Sequence, residues 1–110
     1  MKKIVAYKGS FHELYDSLPQ KEKDKVDRVL LLMQSDNKMP SHFIDFLEDG
    51  IYELRITVKN RELRFLFFYD GQELVILVNC FVKKSRKTPK SEIENAFRLR
   101  REYYEEKRQQ

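Results

Sequence analysis

IYELRITV (51–58), KN (59–60), RELRFLFFY (61–69), DG (70–71) and ELVILVNCFV (73–82) are the runs that decide the fold. Their apolar residues recur largely at every second position, which is the period of a strand with one buried face. Asp70-Gly71 between two apolar runs is a strong short-hairpin signal, and Lys59-Asn60 is a weaker one of the same kind. The region therefore reads as a three-stranded antiparallel meander. A two-residue turn at Lys59-Asn60 pairs Val58 with Arg61. Tyr52 then faces Phe67, Leu54 faces Phe65 and Ile56 faces Leu63, and these rungs build the core.

The same register sets Arg55 directly across from Arg64 on the opposite face, with Glu53 across from Leu66 and Thr57 across from Glu62. Like charges opposed on a sheet destabilise it by roughly 0.2–1 kcal/mol. A bound anion offsets that repulsion, and a phosphodiester matches the guanidinium fork. Alternation from Asp70-Gly71 puts Leu74, Ile76, Val78 and Cys80 on the core face with Phe65. A strand that continues unbroken brings Lys83 out on the arginine face.

Outside the meander, Lys3–Tyr7 reads as a short first strand. Ser10 and Glu13 form a capping box that opens a helix to about Leu18. Pro19 suits the first turn of a second helix, in which Val26, Val29, Leu30 and Met33 make one apolar stripe. Ser35-Asp36-Asn37 ends it. Lys38 to Gly50 is the longest irregular stretch, anchored by Phe43, Phe46 and Leu47. Thr88 is placed as an N-cap with Pro89 at the first helical position, and Ile93, Ala96, Phe97, Arg100 and Tyr104 follow helical spacing. The polar tail from about Tyr104 is expected to fray. The expectation is an α+β domain over residues 1–110, in the order β-α-α-β-β-β-α. Its four-stranded, mainly antiparallel sheet carries all three helices on one face and leaves the other open.

At 110 residues, 41% of them hydrophobic, the chain has enough apolar surface for one core. No apolar run reaches bilayer length and MKKIVAYKG has no signal-peptide core, so no membrane association is expected. The single cysteine, Cys80, has no internal disulfide partner, which fits a reducing compartment, and cytoplasm is the expected location. The net charge is +4, and its distribution says more than its size. Lys83, Lys84, Arg86, Lys87 and Lys90 stand between Val82 and Ser91 with no acid among them, and the first hairpin adds Arg55, Lys59, Arg61 and Arg64. Such clustering points to a polyanion, nucleic acid first. His12, His42 and Cys80 are too scattered for a metal site, and no cofactor motif is present. His12 belongs to a helix turn facing the core, while His42 sits ambiguously in the irregular stretch.

Tyr52-Glu53-Leu54-Arg55, Arg64-Phe65-Leu66-Phe67-Phe68-Tyr69-Asp70-Gly71, Phe81-Val82-Lys83-Lys84 and Lys87-Thr88-Pro89, with Glu92-Ile93 and Ala96, resemble the phage Gp49-like branch of the RelE/ParE toxin superfamily. HigB-type toxins of type II toxin–antitoxin modules belong to it. The close match runs from about Gly50 to Glu102. The resemblance implies a RelE-like, microbial-RNase-type fold and a metal-independent endoribonuclease that cuts mRNA in the ribosomal 30S A site and so inhibits translation. It also implies a helix-turn-helix antitoxin as partner. Carried over by position, Arg55, Arg64, Lys83, Lys84 and Lys87 take catalytic places, with Arg61, Lys59, Arg86 and Lys90 as RNA contacts. Arg64 is the expected chief transition-state contact. Glu53 departs from relatives that carry a cation there, and no histidine or tyrosine is assigned as acid or base; a lysine crowded by cations is the candidate. Two alternatives share the scaffold: a non-catalytic gyrase inhibitor of the ParE kind and an inactive RNA-binding relative.

Overall fold

The computed structural model describes residues 1–35 and 38–110. The chain runs β1 (Lys3–Ala6), α1 (Ser10–Asp16), α2 (Gln20–Gln34), a 3-10 turn (Ser41–Phe43), β2 (Ile44–Glu48), β3 (Ile51–Val58), β4 (Arg61–Asp70), β5 (Leu74–Val82) and α3 (Lys90–Arg108). The expected end of α2 includes Asp36 and Asn37, which lie outside the described residues. The sheet has the order β1-β5-β4-β3-β2, with β1 parallel to β5 and the remaining pairs antiparallel.

The β3–β4 hairpin has the expected register throughout, from Tyr52 opposite Phe67 to Val58 opposite Arg61, with Arg55 opposite Arg64. Lys59 adopts a positive φ of 46° to close the turn.

The sheet has five strands, not four. The extra strand, β2, lies in the stretch read as irregular and pairs with β3 across Asp49-Gly50. Both turn residues have positive φ, 47° and 82°, as a type I′ turn requires. Asp70-Gly71 instead opens a three-residue connection, because β4 ends at Asp70 and β5 starts at Leu74. This shifts the β4–β5 register. Phe68 faces Ile76 and Phe67 faces Leu77, until an irregularity opposite Leu66 resets the pairing to Phe65–Cys80. Leu74, Ile76 and Val78 therefore lie on the face opposite Phe65, and only Cys80 shares its face.

The helices cover both faces. α1, α2 and the link between them bury Leu14, Leu18, Val26, Val29 and Met33 against Leu54, Ile56, Leu63, Phe65 and Phe67. α3 lies across the other face, where Ala96 and Leu99 pack on Ile51, Leu66, Phe68, Ile76 and Val78. The physical reason is in FLFFY and LVILV. Consecutive apolar residues on one strand demand cover on both sides.

Local capping also differs from expectation. α1 starts at Ser10 with Gly9 as its cap. The Ser10 hydroxyl is taken up by the β5 backbone instead, accepting from Cys80 N–H at 2.7 Å and donating to its carbonyl at 3.1 Å. Cys80 is buried, and burial pushes its thiol pKa up. At the other end, α3 stays helical through Arg108. Tyr103 and Lys107 both donate to Asp70 Oδ2 at 2.7 Å and tie its last turns to the β4–β5 connection. Burial, then that bond to Asp70, pushes the Tyr103 pKa up to about 12.

Candidate nucleic-acid interface

α3 covers only part of its face. Beyond Ile93, β2, β3, the start of β4 and the segment 83–88 enclose a cleft of ≈ 410 Å³. Arg55, Arg64, Lys83, Arg86 and Lys87 line it, against the carboxylates of Asp45, Glu53 and Glu62. Lys83 reaches this face by a route the alternation did not anticipate: the β5 irregularity cancels the shifted turn. Its backbone N–H donates to the Glu62 carbonyl at 2.8 Å, which continues the β4–β5 ladder by one rung.

The two arginines have different surroundings. Arg64 is 5% exposed. Its Nη1 donates to Glu53 Oε1 at 2.5 Å and its Nη2 to Glu62 Oε2 at 3.1 Å. Glu53, 2% exposed, also accepts from the Thr88 hydroxyl at 2.9 Å. Glu62 accepts from Lys83 Nζ at 2.8 Å. The hydrogen bond from Lys83, with a second from Arg64, holds the Glu62 carboxyl below its ordinary pKa. The repulsion read from the facing arginines is thus offset from within, by carboxylates on the same two strands.

Arg55 is half-buried. Among the described residues it has no carboxylate partner, and its Nε is buried without a hydrogen-bond partner. Arg64 Nε is likewise buried without a hydrogen-bond partner, so what sets Arg55 apart is a guanidinium that no carboxylate of the described residues engages.

The remaining expected residues divide. Arg86 joins the cleft. Lys84 and Lys90 are exposed and do not line it; Lys90 is the first residue of α3. Lys59 lines a separate groove beside α2. Arg61 points to the face covered by α2 and pairs with Glu22. Sequence reasoning missed the part played by Glu53, Glu62 and Thr88. The register did contain a signal, since Glu53 is the diagonal neighbour of Arg64 across the β3–β4 pair, within reach of long side chains. Thr88, expected to cap α3, is occupied by Glu53, and Pro89 takes the cap position.

Residues 13–101 match the model of the phage-derived Gp49-like protein family. The chain belongs to that family. The Gp49-like family is part of the RelE/HigB-like toxin group, so membership carries a toxin of a toxin–antitoxin module with an antitoxin as its partner. No curated protein matches the chain. The matched stretch of this Gp49-like chain includes every residue that lines the cleft. Among the described residues no helix is long and apolar enough to cross a membrane, and no three His, Cys, Asp or Glu side chains are grouped to hold a metal ion.

Proposed function

We propose that this toxin is a ribosome-dependent, metal-independent endoribonuclease that cuts mRNA in the A site, with the cleft above as its active site. The observation that carries the reading is the Arg55 guanidinium, without a carboxylate partner among the described residues, in a cleft walled by Arg86 and Lys87. Cations held in a partly closed cleft attract a phosphodiester, and fixed donors act most strongly where charge develops in the transition state.

In the reaction, the 2′-oxygen attacks the adjacent phosphorus while the bond to the leaving 5′-oxygen breaks. A base takes the 2′-hydroxyl proton, an acid protonates the 5′-oxygen, and a 2′,3′-cyclic phosphate remains. Arg55 stabilises the dianionic phosphorane. Arg64 anchors the cleft through Glu53 and Glu62, and so takes a positioning part, not the chief contact expected from sequence. Lys83, Lys84 and Lys87 are the candidates to move protons. Lys87 is the best placed, because it lines the cleft and Lys83 is engaged by Glu62. Arg86 and Lys90 guide the strand. A helix-turn-helix antitoxin and a cytoplasmic setting complete the proposal.

Primer extension on cellular mRNA after brief induction tests this reading. Discrete cuts within codons are expected. Intact message with DNA damage favours a gyrase inhibitor instead, and intact message without growth arrest favours an inactive RNA binder.

A further inference from the structure

A second cleft, of ≈ 350 Å³, adjoins the first and shares Arg55 and Glu62 with it. Its other walls are Lys25, His42, Phe43 and Thr57. β2 stops pairing at Leu54, so the β3 edge from Arg55 onward is left uncovered and the 3-10 turn lies beside it. Three features make this more than a surface dent. Lys25, from α2, donates to the Thr57 carbonyl and brings a cation to the sheet edge. Phe43 packs against the core, and the exposed His42 ring lies 4.2 Å from it, centroid to centroid, so the imidazole is backed by a half-buried aromatic. His42 itself is exposed, so its ring is accessible from solvent. Arg55 forms the ridge between the clefts.

We infer that the second cleft is a nucleotide subsite next to the scissile phosphate: Arg55 and Lys25 hold the backbone, and a base stacks on His42. The inference rests on the nuclease reading and extends it, since it makes the substrate a single strand threaded through two clefts. Stacking on an aromatic platform tolerates any base, because every base has a π-face. Ribose and phosphate find donors on both sides of the ridge.

The test uses ribosomes programmed with mRNA made uncleavable by 2′-O-methyl groups, with 2-aminopurine at successive positions of the A-site codon. With wild-type toxin, stacking on His42 quenches one position. His42→Ala should restore that fluorescence, leave the other positions unchanged and weaken binding about five- to tenfold. His42→Phe should keep the quench. Lys25→Met should lower the slope of log affinity against log salt by about 1. An unchanged quench and affinity in His42→Ala overturns the subsite. If Arg55→Ala cleaves unmodified message on programmed ribosomes as fast as wild type does, the nuclease reading falls and takes the subsite with it. A loss of cleavage in Arg55→Ala with no loss of quench or affinity in His42→Ala removes the subsite alone.

Discussion

Replacing Glu53 with alanine isolates what holds the cleft together. Glu53 is 2% exposed and Arg64 5%, so the change leaves a buried guanidinium with one carboxylate fewer. Breaking a buried ion pair from one side costs about 3–5 kcal/mol. The lower end applies, because Glu62 still bonds Arg64 and its side chain is 39% exposed, so water reaches that end of the network. A domain of this size unfolds in urea with a slope of about 2 kcal/mol per molar, so a loss of about 3 kcal/mol lowers the midpoint by about 1.5 M with the slope unchanged. Total stability is typically about 5–15 kcal/mol, so the variant should still fold. The double variant Glu53→Leu with Arg64→Met removes both charges and should recover most of the loss. A midpoint moved by less than about 0.3 M in the single variant refutes the reasoning. So does a double variant as unstable as the single.

Further outcomes follow from the core, the turns and the carboxylates. Phe67 is fully buried, so Phe67→Ala should lose about 3–5 kcal/mol and lower Tm by roughly 12–20 °C in a calorimetric scan. Gly50 has φ +82° and a Cβ there meets only a movable Arg100 nitrogen at 3.2 Å; Gly50→Ala should therefore lose about 1 kcal/mol in urea unfolding from backbone strain. Gly9→Ala, with nothing within 4 Å, should be close to neutral by the same assay. Glu62 is held below its ordinary pKa by the bond from Lys83, and Asp70 by bonds from Lys107 and then Tyr103. A carboxyl depressed in the folded state stabilises above its unfolded pKa and loses that contribution as pH falls through the folded value. The urea midpoint should hold down to about pH 5 and drop below about pH 4. Asp70→Asn should flatten part of that drop, and a midpoint unchanged to pH 2 contradicts the assignment.

Where local chemistry determined the outcome, the fold was legible in the sequence. Period-two alternation across Lys59-Asn60 fixed every rung of the β3–β4 hairpin. The same reasoning misplaced the next hairpin, since an Asp-Gly pair marks a turn without fixing its length. A second Asp-Gly pair, Asp49-Gly50, carried the true two-residue turn and went unread because Ile44–Glu48 alternates poorly. The layer error came from treating each strand as one-sided, although FLFFY and LVILV have no polar face. In the site, the positions of Arg55 and Arg64 followed from the β3–β4 register and that of Lys87 from chain order, while Lys83 reached the cleft only because the β5 irregularity offset the shifted turn. Their division of labour followed from neither. Whether an arginine faces a ligand or a buried carboxylate depends on side-chain reach across diagonals and on Thr88, which alternation does not encode.

The most direct measurement is single-turnover cleavage of mRNA on programmed ribosomes by wild-type toxin, Arg55→Ala and Arg55→Lys. The loss of a preorganised donor to the phosphorane should slow Arg55→Ala by about 100- to 1,000-fold while its urea midpoint stays near wild type. Arg55→Lys keeps the charge without the fork and should fall between them. Undiminished cleavage by Arg55→Ala contradicts the account.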